Sequence, residues 1–251
     1  MHFPFVFQIG SLEIPAHAFF EAAAFFFGFR YFLYLRKKQG DLYPSTTRAW
    51  IIIGAIFGAL AGSRLVGALE NPLQLIAAKN VWLYIYANKT VLGGFLGGLL
   101  GVELTKKCLH EKKASGDLFV YPMILALIIG RLGCFSMGIH EETYGTATNL
   151  PWGLYLGDNV KRHPVTLYEI LFLLLMWYAL KSYTSKLTLV EGALFKAFMI
   201  TYIFFRFVLD FIKPHYDVIA GLSTIQLTCI IGLLYYLPYM LHPKKLKAAY
   251  A

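Results

Sequence analysis

The sequence predicts an all-α fold, a polytopic integral membrane helical bundle of about seven transmembrane helices. Three observations carry that expectation. Of 251 residues, 58% are hydrophobic and 15% charged, against about 25% charged in soluble domains. The apolar residues come in runs of about 20, the length that crosses a bilayer. The charges gather in short segments between those runs, as membrane topology demands. The net charge of +9 therefore reads as topology, and no nucleic-acid partner is expected.

The runs fall at about 15–36, 49–69, 90–107, 118–137, 164–183, 193–212 and 221–241. Met1 to Gly10 has no basic leader region, and the first run is too long for a signal peptide, so none is expected. In the second run Gly54, Gly58 and Gly62 recur every fourth residue, and Gly93, Gly94, Gly97, Gly98 and Gly101 crowd the third. Small faces let helix backbones approach closely. Packing accounts for Gly54 to Gly62, whereas Gly93 and Gly94 also lie where a ligand would meet backbone. Cys108, Cys134 and Cys229 are an odd number in or beside spans and indicate no disulfide framework. The chain reads as one membrane domain, 1–251, with outer loops at about 70–89, 138–163 and 213–220.

Charge sets the direction. With the N-terminus outside, the inner loops and tail hold Arg36, Lys37, Lys38, Arg48, Lys106, Lys107, Lys112, Lys113, Lys181, Lys186, Lys244, Lys245 and Lys247. The outer loops hold only Lys79, Lys89, Lys161, Arg162 and Lys213. That asymmetry puts the C-terminus in the cytoplasm. Trp82, Tyr84, Tyr86, Tyr144, Trp152 and Tyr155 then sit outside, where interfacial anchors belong.

Several ionisable residues lie inside the runs: Arg64, Glu103, Arg131, Glu169, Arg206 and Asp210. A lipid-facing arginine costs at least ~3 kcal/mol, so such groups face a protein interior or a cavity. In the predicted orientation most of them cluster in the outer half of the membrane, which implies a polar cavity there. A phosphodiester needs cationic donors held in place, and guanidinium supplies them as a planar fork. Arg131 and Arg206 are the first candidates, with Arg64 and Arg162 behind them. Asp210, one turn after Arg206, is placed to form a salt bridge with it, and Tyr202 shares the face of Arg206. His163 precedes the proline that starts the fifth helix, and Glu169 is placed to pair with a neighbouring arginine. The structural alternative for these charges is a clasp that holds the bundle together.

Gly130-Arg131-Leu132-Gly133, then Arg162-His163-Pro164-Val165-Thr166-Leu167-Tyr168-Glu169, then Tyr202 and Arg206, then Ser223-Thr224-Ile225-Gln226 follow one another along the chain. In that order they resemble the bacterial prolipoprotein diacylglyceryl transferase family, whose signatures are G-R-x-G-N-F-x-N-G-E, R-H-P-x-x-L-Y-E and S-x-x-Q. Leu92-Gly93-Gly94 resembles the family's H-G-G. The resemblance implies a multi-pass protein of the bacterial inner membrane. It implies transfer of a diacylglyceryl group from phosphatidylglycerol to a prolipoprotein cysteine thiol, with release of glycerol phosphate and no cofactor. It makes Arg131, Arg206, Glu142 and Tyr202 the catalytic candidates, with Arg64, Gly93, Gly94, Arg162, His163, Glu169 and Asp210 contacting substrate. The alternative is a non-catalytic phospholipid-binding or transport protein that keeps the phosphate site, or a transferase with another acceptor.

The chain departs from the family pattern at several places. Leu92 stands where the family has histidine, and Cys134 and Met137 stand where it has asparagines. Ile139-His140-Glu141-Glu142 lengthens the following loop. An acceptor thiol must lose its proton to react, and His140, Glu142 or His163 are the sequence candidates for taking it. Cys134 reads as a small apolar filler rather than a lipid acceptor. His140, Glu141, Glu142 and His163 match no compact metal-ligand spacing, so no metal is expected.

Overall fold

The computed structural model describes residues 3–10, 12–186 and 189–246. Lys247, counted above among the cytoplasmic cations, lies outside them. Seven long helices cover the seven apolar runs: α1 (Ala16–Gln39), α2 (Ser45–Ala68), α5 (Val91–Cys108), α6 (Val120–Met137), α7 (Val165–Lys186), α8 (Ala193–Leu209) and α9 (Thr224–Leu241). Two short helices, α3 (Pro72–Ala77) and α4 (Val81–Ala87), fill the loop between α2 and α5. Five of the long helices are long and apolar enough to cross a membrane by themselves. The other two fall short for visible reasons: α5 carries Glu103, Lys106 and Lys107, and α8 has 17 residues.

The all-α expectation omitted two small hairpins. β1 (Val6–Ile9) pairs antiparallel with β2 (Leu12–Pro15), Val6 opposite Pro15 and Ile9 opposite Leu12. Gly10 supplies the positive φ of 63° at the turn, a conformation that costs glycine little. A second pair, β3 (Leu154–Tyr155) with β4 (Lys161–Arg162), ties the loop between α6 and α7 together. Both are shorter than the windows in which alternation can be read.

Helix starts follow local chemistry. Thr90 caps α5 by accepting from Gly93 N, and Asn71 and Asn80 cap α3 and α4 in the same way. Ser223 and Gln226 form a capping box at α9. Thus the Ser-x-x-Gln spacing has a structural task whatever else it does.

The helices pack as neighbours α1 with α6, α2 with α5, α6 with α7 and α8 with α9. The core lies where α5 to α9 meet, around Phe198, Tyr202, Ile203, Leu173, Ile124 and Leu92. Large apolar side chains such as Phe25, Phe57, Leu65, Tyr178, Leu171 and Ile231 face outward. An apolar exterior on that scale fits lipid and not water. Between α2 and α5 the glycines interlock: a Cβ on Gly58 would meet Gly97 O, one on Gly97 would meet Gly58 O, and Gly62 and Gly93 stand in the same relation. Gly93 is therefore buried in helix packing, not presented to a ligand. Gly94 is different, with its nearest neighbour outside the helix 3.7 Å from where a Cβ would be.

Candidate active site

A cavity of about 1440 Å³ runs between the α1–α6 pair and the α2–α5 pair, closed at the back by α8 and α9. Drug-sized ligands occupy about 300–1,000 Å³, so the space suits something larger. Its polar lining includes Arg64, Glu70, Arg131, Glu142, Arg206 and Lys213, with Gly94 and Gly130 on the wall.

The deepest charge cluster joins three helices. Arg131 Nε on α6 lies 2.9 Å from Glu169 Oε2 on α7. Arg206 Nη1 on α8 donates to that same oxygen at 3.1 Å. Tyr202 OH donates to Glu169 Oε1 at 2.8 Å. Glu169 is 1% exposed, and Arg131 and Arg206 are 7% exposed. The Arg131 contact is close enough for an ion pair but is not directed as a hydrogen bond, so Arg131 Nε keeps a buried, unused donor. Arg206 Nε is likewise buried without an acceptor. Two guanidinium groups share one carboxylate, which leaves one formal positive charge in a cluster whose arginines line the cavity, with Arg206 Nε lacking an acceptor. Buried donors normally have partners, and an anion would supply both the charge and the acceptors.

The expected Arg206–Asp210 ion pair is absent among the described residues. Glu169 takes Arg206 instead, and Asp210 accepts from the Ser223 hydroxyl. The i,i+4 spacing made the pair possible, but Asp210 lies where α8 ends and turns toward the start of α9. Glu169 and Tyr202 do not line the cavity; they position the arginines from behind. Arg64 does line it, with its guanidinium 4.8 Å from the Tyr86 ring centroid.

Arg162 and His163 are not among the cavity-lining residues. Arg162 pairs with Asp158 at 2.7 Å and lies over the Tyr144 ring. His163 Nδ1 is 3.3 Å from Tyr168 OH, which accepts from Trp152 Nε1. Both residues organise the loop between α6 and α7, whose backbone is tied down by His163 N to Thr146 O and Thr146 N to Ile212 O. Asp158 sits below the usual carboxylate range because Arg162 holds its charged form. At the cavity mouth burial pushes the Glu70 carboxyl up, and burial together with Arg206 pushes the Lys213 ammonium down.

Leu92 is 1% exposed and belongs to the core cluster. No imidazole is available at that position. Two further cavity residues, His17 and Glu141, converge with Cys134 where α1 begins and α6 ends. The sequence weighed Glu141 only with His140, Glu142 and His163, because His17 lies far away in the chain.

The sequence model describing prolipoprotein diacylglyceryl transferases matches residues 4–242. The chain belongs to that family. Similar proteins named phosphatidylglycerol–prolipoprotein diacylglyceryl transferase include one from Idiomarina loihiensis, 32% identical over 231 residues, covering 84% of this chain and 80% of the relative. One from Nitrosospira multiformis is 28% identical, covering 90% of this chain and 79% of its own length. One from Cupriavidus metallidurans is 28% identical, covering 90% and 85%. Family membership makes the chain a membrane-embedded transferase. The match runs over nearly the whole length, so the Leu92 and Cys134 departures lie within it.

Proposed function

We propose that the chain moves a diacylglyceryl group from phosphatidylglycerol to the thiol of a prolipoprotein cysteine and releases glycerol phosphate, as the names of its relatives describe. The observation that carries this reading is the pair Arg131–Arg206 on one carboxylate, with one positive charge in excess on arginines that line a lipid-sized cavity. A phosphodiester monoanion balances that charge. As the glyceryl C–O bond breaks, negative charge grows on the leaving phosphate. Donors already held in place in a water-poor site stabilise it by roughly 3–4 kcal/mol each.

In this reading Arg131 and Arg206 hold the phosphate. Glu142 and Arg64 border the headgroup and acceptor, and Gly94 leaves room for the glyceryl chain. Glu169, Tyr202 and Asp210 act as positioning residues, and Arg162, His163 and the outer loop form the rim above. The chain is one membrane domain that crosses the bacterial inner membrane seven times, N-terminus outside and C-terminus in the cytoplasm. The loops at about 70–89, 138–163 and 213–220 face outward. The charge asymmetry of the loops supports this orientation. Although α5 carries three charges and α8 has only 17 residues, they span as well, since α2 covers the glycine face of α5 and α8 is packed into the core.

Incubation of the purified protein with radiolabelled phosphatidylglycerol and a lipobox peptide tests the reading. Labelled peptide together with released glycerol phosphate is expected. Lipid turnover without peptide labelling would overturn the acceptor, and tight lipid binding without turnover would overturn the enzyme.

A further inference from the structure

We propose that His17, Cys134 and Glu141 form a binding site for a divalent transition metal, zinc foremost, with a coordination position open to the cavity. His17 stands in the first turn of α1, Cys134 in the last turn of α6, and Glu141 just beyond that helix. Their donor atoms all lie within 4.8 Å of one another. His17 Nε2 and Glu141 Oε2 approach to 3.5 Å, an ion-pair distance if the imidazole is protonated, and Glu141 Oε2 is buried without a directed hydrogen bond. Gly133 makes the convergence possible, because a Cβ there would stand 3.1 Å from both His17 and Phe20. All three residues face the same cavity as the arginines.

The donor set is a thiol, an imidazole and a carboxylate, the three ligand types zinc takes. Zinc–ligand bonds of about 2.0–2.3 Å place donors about 3.5 Å apart, so closing the present triangle onto an ion needs small side-chain rotations only. Arg131 Nη1 donates to Cys134 Sγ at 3.6 Å, which fixes the sulfur toward His17 and Glu141. Thiolate and carboxylate together neutralise the ion, and its binding releases the thiol proton. Three protein ligands with a free fourth position is the arrangement of catalytic rather than structural zinc.

The open position gives the site a task that rests on the transferase reading. An acceptor thiol displaces the metal-bound water, which carries away the thiol proton. The bound sulfur is then held as thiolate without a histidine at Leu92. Its electron pair forms the C–S bond as the glyceryl C–O bond breaks, and the leaving phosphate keeps the other pair.

The test measures metal and not turnover, so its failure is separate from failure of the transferase assignment. The full chain is purified in detergent through a tag without histidines, incubated with Zn²⁺ or Co²⁺, desalted and assayed for metal by mass spectrometry. About one ion per chain is expected, and a Co²⁺ sample shows sulfur-to-cobalt charge transfer with tetrahedral visible bands. His17→Ala, Cys134→Ser and Glu141→Gln are each expected to lower retained metal more than about tenfold, while Cys108→Ser retains it. Gel filtration and thermal unfolding identify variants that fold, and only those are compared. A cysteine-containing lipobox peptide, added without lipid, is expected to intensify the charge-transfer band. No retained metal in the parent protein, or equal retention in folded Cys134→Ser, overturns the site. An unchanged band with the peptide overturns the open position.

Discussion

Arg131 and Arg206 reach the same oxygen, Glu169 Oε2, from two different helices, at 2.9 and 3.1 Å. One carboxylate therefore spaces two cations that would otherwise repel, and fixes them facing one cavity. Removing the shared partner of a buried ion cluster typically costs about 3–5 kcal/mol, because charges are left without compensation. Glu169→Gln is expected to lower the thermal unfolding transition in detergent by an amount of that order, and to impair lipid turnover with it. A variant as stable as the parent would show that the arginines find another anion.

The guanidiniums themselves should behave differently. Arg131→Ala and Arg206→Ala each remove a charge from a cluster that carries one in excess, so folding is expected to survive better than in Glu169→Gln. Turnover of phosphatidylglycerol should fall about 10²–10³-fold in each, the usual loss for a donor aimed at developing charge. Lysine at either position restores charge but not the planar fork, and should recover only part of the activity. Labelled-lipid assays on the four variants check both statements.

The glycine interface yields a contrast. A side chain on Gly58 meets the Gly97 carbonyl across the α2–α5 contact, whereas one on Gly94 finds its nearest neighbour 3.7 Å away. Gly58→Val should destabilise by about 1–3 kcal/mol through overpacking. Gly94→Ala should leave stability within about 0.5 kcal/mol while narrowing the cavity, so its effect appears in lipid KM. Denaturation and kinetics measured on the same two variants separate packing from ligand space.

Ser223 combines two tasks: its hydroxyl donates to Asp210 and accepts from Gln226 N. Ser223→Ala removes a cap worth about 1 kcal/mol and strands a buried carboxylate, a further loss of about 1–3 kcal/mol. Ser223→Thr keeps both bonds and should lose little. Thermal unfolding of the pair is the measurement.

A pH dependence follows from Asp41, between α1 and α2. Burial alone would raise its pKa, but hydrogen bonds from Arg48 and the charge of Arg36 outweigh that and hold it below the ordinary value for aspartate. A depressed folded-state pKa means the unfolded chain binds more protons. The contribution is therefore complete above the unfolded value of about 3.9 and fades as pH falls through the lower folded value. Acid unfolding of Asp41→Asn should show a shallower pH slope than the parent below about pH 4.

Helix positions were legible because apolar runs of bilayer length have few other uses, and all seven reappear as long helices. The hairpins at Val6–Pro15 and Leu154–Arg162 were not, since short strands leave too little alternation to read. Arg131 and Arg206 stood out in the sequence because charge inside an apolar run is costly. Glu169 was legible as a partner for a neighbouring arginine, but not that it serves both, and the Arg206–Asp210 pairing inferred from spacing was wrong because helix α8 ends there. His17 carried no signal at all.

From the sequence by itself came the lipid setting, the order of the helices and the identity of the buried cations, since hydropathy and the cost of intramembrane charge depend on local composition. The tertiary structure alone decided which charges neutralise one another, that Gly93 serves packing while Gly94 borders the cavity, and that His17, Cys134 and Glu141 meet. Those relations depend on how helices distant in sequence cross. Crossing is set by the fit of whole surfaces, such as the glycine faces of α2 and α5, and no local window of residues encodes it.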